Sequence, residues 1–314
     1  MFKLAVQTGG IDDKFGFDGA YRIIKEAGFD AVDVNTDHLF PTADIRAKAP
    51  IPAVFRKDAS EKDLLEAFRP MKDAAVKYGL DNYRAHAPFP SVLQTGPEGN
   101  EEYNEAILEV LRRTIIGAAS IDCRNLVIHP LYYDYDHQQS PEEEWEMNRK
   151  AYLKLAGTAK EYGVTICLEN MFRVCRGKRY AGTCNRPDEA VSFVDRLNAE
   201  AGGRVFGFCL DTGHALLVGQ DIKRFMTELG DRIACFHVHD NNGIEDQHFA
   251  PYMGVQDWNR FEEGLAAIRY EKTVSFETFN IWNRVDPELC PDLLKFIEKT
   301  GRMFDRKAEA LLKK

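Results

Sequence analysis

The chain lacks any apolar run approaching the 18 or so residues that a membrane-spanning helix needs, so no membrane partner is expected. Met1-Phe2-Lys3-Leu4 leads straight into a strand-like segment without the apolar core of a signal peptide, which makes the expected location soluble and cytoplasmic. No CxxC pair occurs, so a thiolate zinc ribbon is not expected. The seven Cys are an odd number, and Cys167, Cys209 and Cys235 sit inside apolar runs, which suits reduced core thiols better than a disulfide framework. Long basic stretches are missing too: Arg112-Arg113, Arg176 to Arg179 and Lys313-Lys314 are short and scattered. With 41 Lys+Arg against 50 Asp+Glu the net charge is −9, and no nucleic-acid partner is expected. What is present is apolar material: 44% hydrophobic and 11% aromatic residues, enough for a large core rather than disorder.

Short β-branched runs alternate with amphipathic helical patterns along the whole chain, the pattern of an α/β protein with a parallel sheet. Eight strands are predicted at 3–7, 31–35, 83–86, 125–129, 165–169, 205–211, 234–239 and 273–277. Helices are predicted between and after them, at 21–26, 61–77, 101–120, 141–162, 187–198, 222–229, 258–268 and 291–312. Several helices end at Gly before the next strand, as at Gly28, Gly79, Gly163 and Gly230. No GxGxxG follows the first strand and no composition shift marks a boundary, so the expectation is one (β/α)8 TIM barrel over residues 1–314. Two long connections, residues 36–59 and 171–186, are candidates for loops over the barrel mouth.

Position is the informative feature of the polar residues. His86, His129, His214, His237, His239 and His248 fall at or just after predicted strand ends, with Glu169, Asp211, Asp246 and Glu277. A barrel carries its active site at that end, so these side chains should converge. Buried carboxylates gathered without a cation would repel one another strongly, which points to a divalent metal site. Imidazole and carboxylate without thiolate suit Mn, Co, Zn, Fe or Mg. His237 and His239, two apart on one strand, face the same side, and only one need bind the ion.

Seven segments together resemble the xylose isomerase-like barrel superfamily of sugar isomerases and epimerases, inosose dehydratase and endonuclease IV. They are His86-Ala87-Pro88, Ile128-His129-Pro130, Leu168-Glu169-Asn170, Leu210 to Ala215, His237 to Gly243, Asp246-Gln247-His248 and Phe276-Glu277. In epimerase members the corresponding positions hold one cation, which implies Glu169, Asp211, His237 and Glu277 as ligands here. The resemblance favours His237 over His239, because members with an HxxDN pattern use its first His. Endonuclease IV members hold three zinc ions. Their nine ligands correspond to His86, His129, Glu169, Asp211, His214, His237, Asp246, His248 and Glu277, all present in this chain.

The implied activity is that of a divalent-metal-dependent sugar or sugar-phosphate isomerase or epimerase. The cation lowers the cost of an enediolate while Glu169 and Glu277, as combined ligands and catalytic bases, remove and return the α-proton. His86, His129, His214, His239, Asp246 and His248 are the expected substrate-binding residues, with Trp258 as an aromatic face for the sugar ring. The alternatives are a lyase or dehydratase acting on an oxidised sugar or inosose, a trinuclear zinc phosphodiesterase, and a non-catalytic sugar sensor. The partner expected is a small-molecule carbohydrate, with a possible homo-oligomer.

Overall fold

A computed structural model describes residues 2–91, 100–131 and 140–313. All eight predicted strands form: β1 (Lys3–Gln7), β2 (Ala31–Asn35), β3 (Asp81–His86), β4 (Asn125–Val127), β5 (Thr165–Glu169), and, after a hairpin of β6 (Phe172–Cys175) and β7 (Lys178–Ala181), β8 (Phe206–Asp211), β9 (Ile233–His237) and β10 (Thr273–Phe276). The eight barrel strands pair in parallel in the order β10-β1-β2-β3-β4-β5-β8-β9. Val238 closes the ring: its N–H donates to Ser275 O at 2.9 Å and its carbonyl accepts from Glu277 N–H at 3.1 Å. The chain is therefore a closed (β/α)8 barrel, with its strand ends aimed at one mouth.

The helices are α1 (Asp12–Ala27), α2 (Thr42–Arg46), α3 (Glu61–Tyr78), α4 (Glu101–Ser120), α5 (Pro141–Tyr162), α6 (Pro187–Ala201), α7 (Thr212–Leu217), α8 (Ile222–Leu229), α9 (Trp258–Ala267) and α10 (Cys290–Leu312). Those of the barrel wall lie close to their predicted ranges except α1, which begins nine residues early. Gly16, at φ 63°, kinks it and breaks the helical repeat, so only the part beyond the kink reads as amphipathic. α5 starts with a capping box, in which Ser140 Oγ accepts from Glu143 N–H and Glu143 accepts from Ser140 N–H. No helix among the described residues is long and apolar enough to cross a membrane.

The two long connections are folded. Residues 36–59 carry α2 and two 3-10 turns, pinned to the core by the buried side chains of Phe40, Ile45 and Phe55. The second contains the β6–β7 hairpin, paired antiparallel from Phe172↔Ala181 to Cys175↔Lys178. Gly182 follows it, and a Cβ there would lie 2.8 Å from Met171 O, so this turn leaves no room for a side chain.

Inside the barrel, Cys167, Cys209 and Cys235 are buried beside Val127 as free thiols. Arg84 is equally buried; its guanidinium pairs with Asp33 and donates to Phe236 O at 2.5 Å. Removing one partner of such a pair strands a charge in the interior. Arg84→Leu is expected to cost about 3–5 kcal/mol in urea unfolding, and the double variant Asp33→Leu/Arg84→Leu should recover part of it. A cost under about 1 kcal/mol, the size seen for exposed pairs, would show that the pair does not hold the interior together.

Candidate metal centre

Strand ends supply the central group. Glu169 is the last residue of β5, Asp211 of β8 and His237 of β9, while Glu277 follows β10 directly. All four are buried. His237 Nδ1 lies 3.0 Å from Glu169 Oε1, 3.3 Å from Glu277 Oε2 and 3.7 Å from Asp211 Oδ2. One ligand atom from each of the four lies within 4.8 Å of the others, the spacing of a single cation site. Asn170 locks two of the strands in place: its amide donates to Asp211 O at 2.9 Å and its carbonyl accepts from Asp211 N–H at 2.7 Å.

Two further groups flank it. His86, His129 and Glu169 form one, with His129 Nε2 3.2 Å from Glu169 Oε2 and 3.0 Å from His86 Nε2. His86 Nδ1 lies 2.7 Å from Ala87 O, which fixes that nitrogen as the donor and leaves Nε2 facing the group. His214, His239, Asp246 and His248 form the other. Asp246 Oδ2 lies 3.0 Å from His248 Nε2 and 3.3 Å from His214 Nε2, and the rings of His239 and His248 stack with centroids 3.9 Å apart. His239 turns its Nε2 to Asp211 Oδ2 at 3.0 Å, so it bridges this group and the central one. That ring position depends on Gly213, where a Cβ would sit 2.0 Å from His239 Cε1.

Burial alone would push these carboxyls up, but the imidazoles reverse it. His237 and His129 hold Glu169 well below the usual carboxylate range, and His214 and His239 hold Asp211 below it. Burial likewise opposes ionisation of Asp246, yet His248 and His214 keep it well below its ordinary value. Burial would lower His248 and His214, but Asp246 lifts His248 to about 9, and Asp211 with Asp246 holds His214 well above the usual range. His86 is pushed well down by burial and by His129.

A divalent cation fits this set on chemical grounds. Three buried carboxylates face one point, the donors are imidazole nitrogen and carboxylate oxygen, and Glu169 Oε2 and Asp246 Oδ1 receive no hydrogen bond among the described residues. Above the group opens a cavity of about 1020 Å³, to which Glu169, Glu277, His86, His129, His214, Asp246 and His248 contribute. Phe89, Phe172 and Phe279 supply its aromatic wall, and Arg173, from the hairpin, lies on its surface.

Two residues expected to meet substrate do not line the cavity: His239, buried against Asp211, and Trp258, which also lies outside every ligand group. Trp258 stands at the start of α9, buried, with its ring stacked 5.3 Å from Phe304 and its Nε1–H donating to Asp240 Oδ2 at 3.1 Å. The expectation of a sugar-stacking face at Trp258 is corrected accordingly. Asp240, which also accepts from Tyr252, Gln256 and Asn241 N–H, makes this stretch a structural knot. Conversely, Gln7 and Asn170, which touch Glu277 and Asp211, carry no charge and were not singled out by the titratable pattern.

The profile of the family described as xylose isomerase-like TIM barrel matches residues 21–300. The uncharacterized protein MJ1311 of Methanocaldococcus jannaschii is 27% identical over 219 residues, covering 68% of this chain and 70% of its own. A probable endonuclease 4 of Moorella thermoacetica is 24% identical over 218 residues, covering 65% and 70%. Among solved structures, an L-ribulose 3-epimerase superposes with a TM-score of 0.70 at 17% identity, covering 100% of this chain and 97% of that one.

Proposed function

Because the chain belongs to the xylose isomerase-like TIM barrel family, we propose that it is a divalent-metal-dependent isomerase or epimerase acting on a small carbohydrate. The observation that carries this reading is the placement of Glu169 and Glu277. They come from β5 and β10, on different sides of the barrel, yet both reach one four-ligand group and both line the cavity. Glu169, Asp211, His237 and Glu277 would hold the ion. When bound, it supplies Lewis acidity to the carbonyl and hydroxyl oxygens of the sugar. One glutamate removes the proton on the carbon next to the carbonyl and the other returns a proton from its own side, which inverts or relocates the centre without a redox cofactor. His214 and His248 use both ring nitrogens on Asn170 O, Glu277 O and Asp246 Oδ2, and so hold Asp246 at the cavity wall with its Oδ1 left to accept from a substrate hydroxyl. Solvent-deuterium incorporation into ketohexoses such as D-tagatose, D-fructose and D-allulose tests the reading, and failure of exchange across ketoses, aldoses and inososes would overturn it.

His237 and His239 divide the roles. His237→Ala is expected to lower manganese affinity by at least the roughly 10- to 100-fold typical of disturbing a metal site's supporting contacts. His239→Ala, which removes only a supporting contact of Asp211, should lower it less than His237→Ala does. The reverse pattern in a calorimetric titration would move the ligand role to His239.

A second reading, an endonuclease IV-like phosphodiesterase with three metal ions, is favoured by one observation: three ligand groups adjoin, two of them sharing Glu169. Against it, the described cavity wall sets Asp12, Asp13 and Asp37 beside Arg46, Lys48 and Arg173 and so offers a polyanion no excess of positive charge.

A further inference from the structure

Gln7 ends β1 and is buried, 2% exposed, in the wall of the same cavity. β1 and β10 run parallel with Val6 opposite Phe276, so the next rung puts Gln7 beside Glu277 with both side chains pointing inward. The Gln7 amide donates from Nε2 to Glu277 Oε1 at 2.5 Å. That contact separates the two oxygens of Glu277: Oε1 is held by Gln7, while Oε2 faces the ligand group, 3.3 Å from His237 Nδ1.

The other end of the amide is unspent. Gln7 Oε1 is buried and receives no hydrogen bond among the described residues, a costly state for a carbonyl oxygen unless something arrives to donate to it. Gly9 shows how closely the backbone packs beside it. A Cβ there would lie 3.1 Å from Gln7 Oε1 and 2.5 Å from Asn35 Nδ2, so any side chain would crowd the amide. An amide oxygen accepts and cannot donate, hence it selects a hydroxyl and rejects an ionised phosphate or carboxylate at the same point.

Resting on the reading of the site as a sugar isomerase or epimerase, we propose that Gln7 is a positioning and specificity-determining residue. Its nitrogen fixes Glu277 for metal and proton, and its oxygen accepts a hydrogen bond from a free hydroxyl of the substrate near the carbon that Glu277 serves. The substrate class is thus a sugar unsubstituted at that hydroxyl; a phosphate, if there is one, lies elsewhere on the molecule.

Gln7→Met keeps the length of the side chain and removes both donor and acceptor. Manganese titration of the folded variant is expected to show about a 10- to 100-fold loss of affinity. For the substrate half, exchange is measured with D-allulose, D-tagatose and D-fructose and with their monodeoxy analogues. The wild-type enzyme is expected to discriminate against the analogue deoxygenated at one position; in Gln7→Met, measured at saturating manganese, the loosened Glu277 slows both sugars, but kcat/KM for the parent falls about tenfold further than for that analogue, so the ratio collapses towards one. Gln7→Ala, which leaves a gap open to the cavity, replaces it if the methionine does not pack. Unchanged metal affinity overturns the positioning role, and unchanged discrimination overturns the hydroxyl contact. If the wild-type protein exchanges none of these sugars, the isomerase reading and the hydroxyl contact fall together, while the titration still decides whether Gln7 holds Glu277.

Discussion

Glu169→Gln and Glu277→Gln are each expected to lower epimer interconversion by about two to four orders of magnitude, the worth of a positioned proton-transfer group, with the barrel still folded. Each change keeps the shape of the side chain and one carbonyl oxygen but removes the base and a ligand charge. Because both residues belong to the four-ligand group, rates must be compared at matched metal occupancy. The two variants should then differ in kind. With one base on each side of the sugar, a variant lacking one base can still exchange the proton that the other base reaches, so each should wash deuterium into a different epimer. Wild-type-like interconversion in either variant, with metal bound, would remove that residue from proton transfer.

The geometry behind that expectation was largely legible in the sequence, and for a physical reason. Parallel barrel strands are buried on both faces and read as apolar runs, so a lone Glu169 or Asp211 closing such a run stands out. The barrel converts those separate endings into one cluster, as the approach of His237 to three carboxylates shows. Contacts that depend on side-chain direction were not legible. Trp258 stands just after an acidic residue and near the mouth segments in sequence, but Asp240 captures its indole N–H and turns it into the helical layer. The hairpin from Phe172 to Ala181 mixes basic and apolar residues without a strand-length apolar run, and its antiparallel pairing lies outside the barrel repeat. Gln7 gave a positional signal, the end of the first strand, but no titratable one; its role appears only when β10 is laid beside β1.

The largest expected contrast separates the sugar enzyme from the phosphodiesterase. Counting metal ions does not decide it, because the adjoining ligand groups offer more than one place for an ion whatever the substrate. The polyanion does decide it. A protein that neutralises several phosphates loses about three to five orders of magnitude in affinity between roughly 50 and 200 mM salt, through the counterions it releases. This chain carries a net charge of −9, and its cavity wall sets Asp12, Asp13 and Asp37 against Arg46, Lys48 and Arg173, so such a hold on duplex DNA has little to draw on. A neutral sugar releases no condensed counterions. The zinc- or manganese-loaded protein is therefore expected to leave abasic duplex DNA uncut, and its KM for the sugar should stay nearly flat across that salt interval. Efficient incision at the abasic site, falling steeply with salt, would overturn the isomerase reading while leaving the barrel and its ligand groups as described.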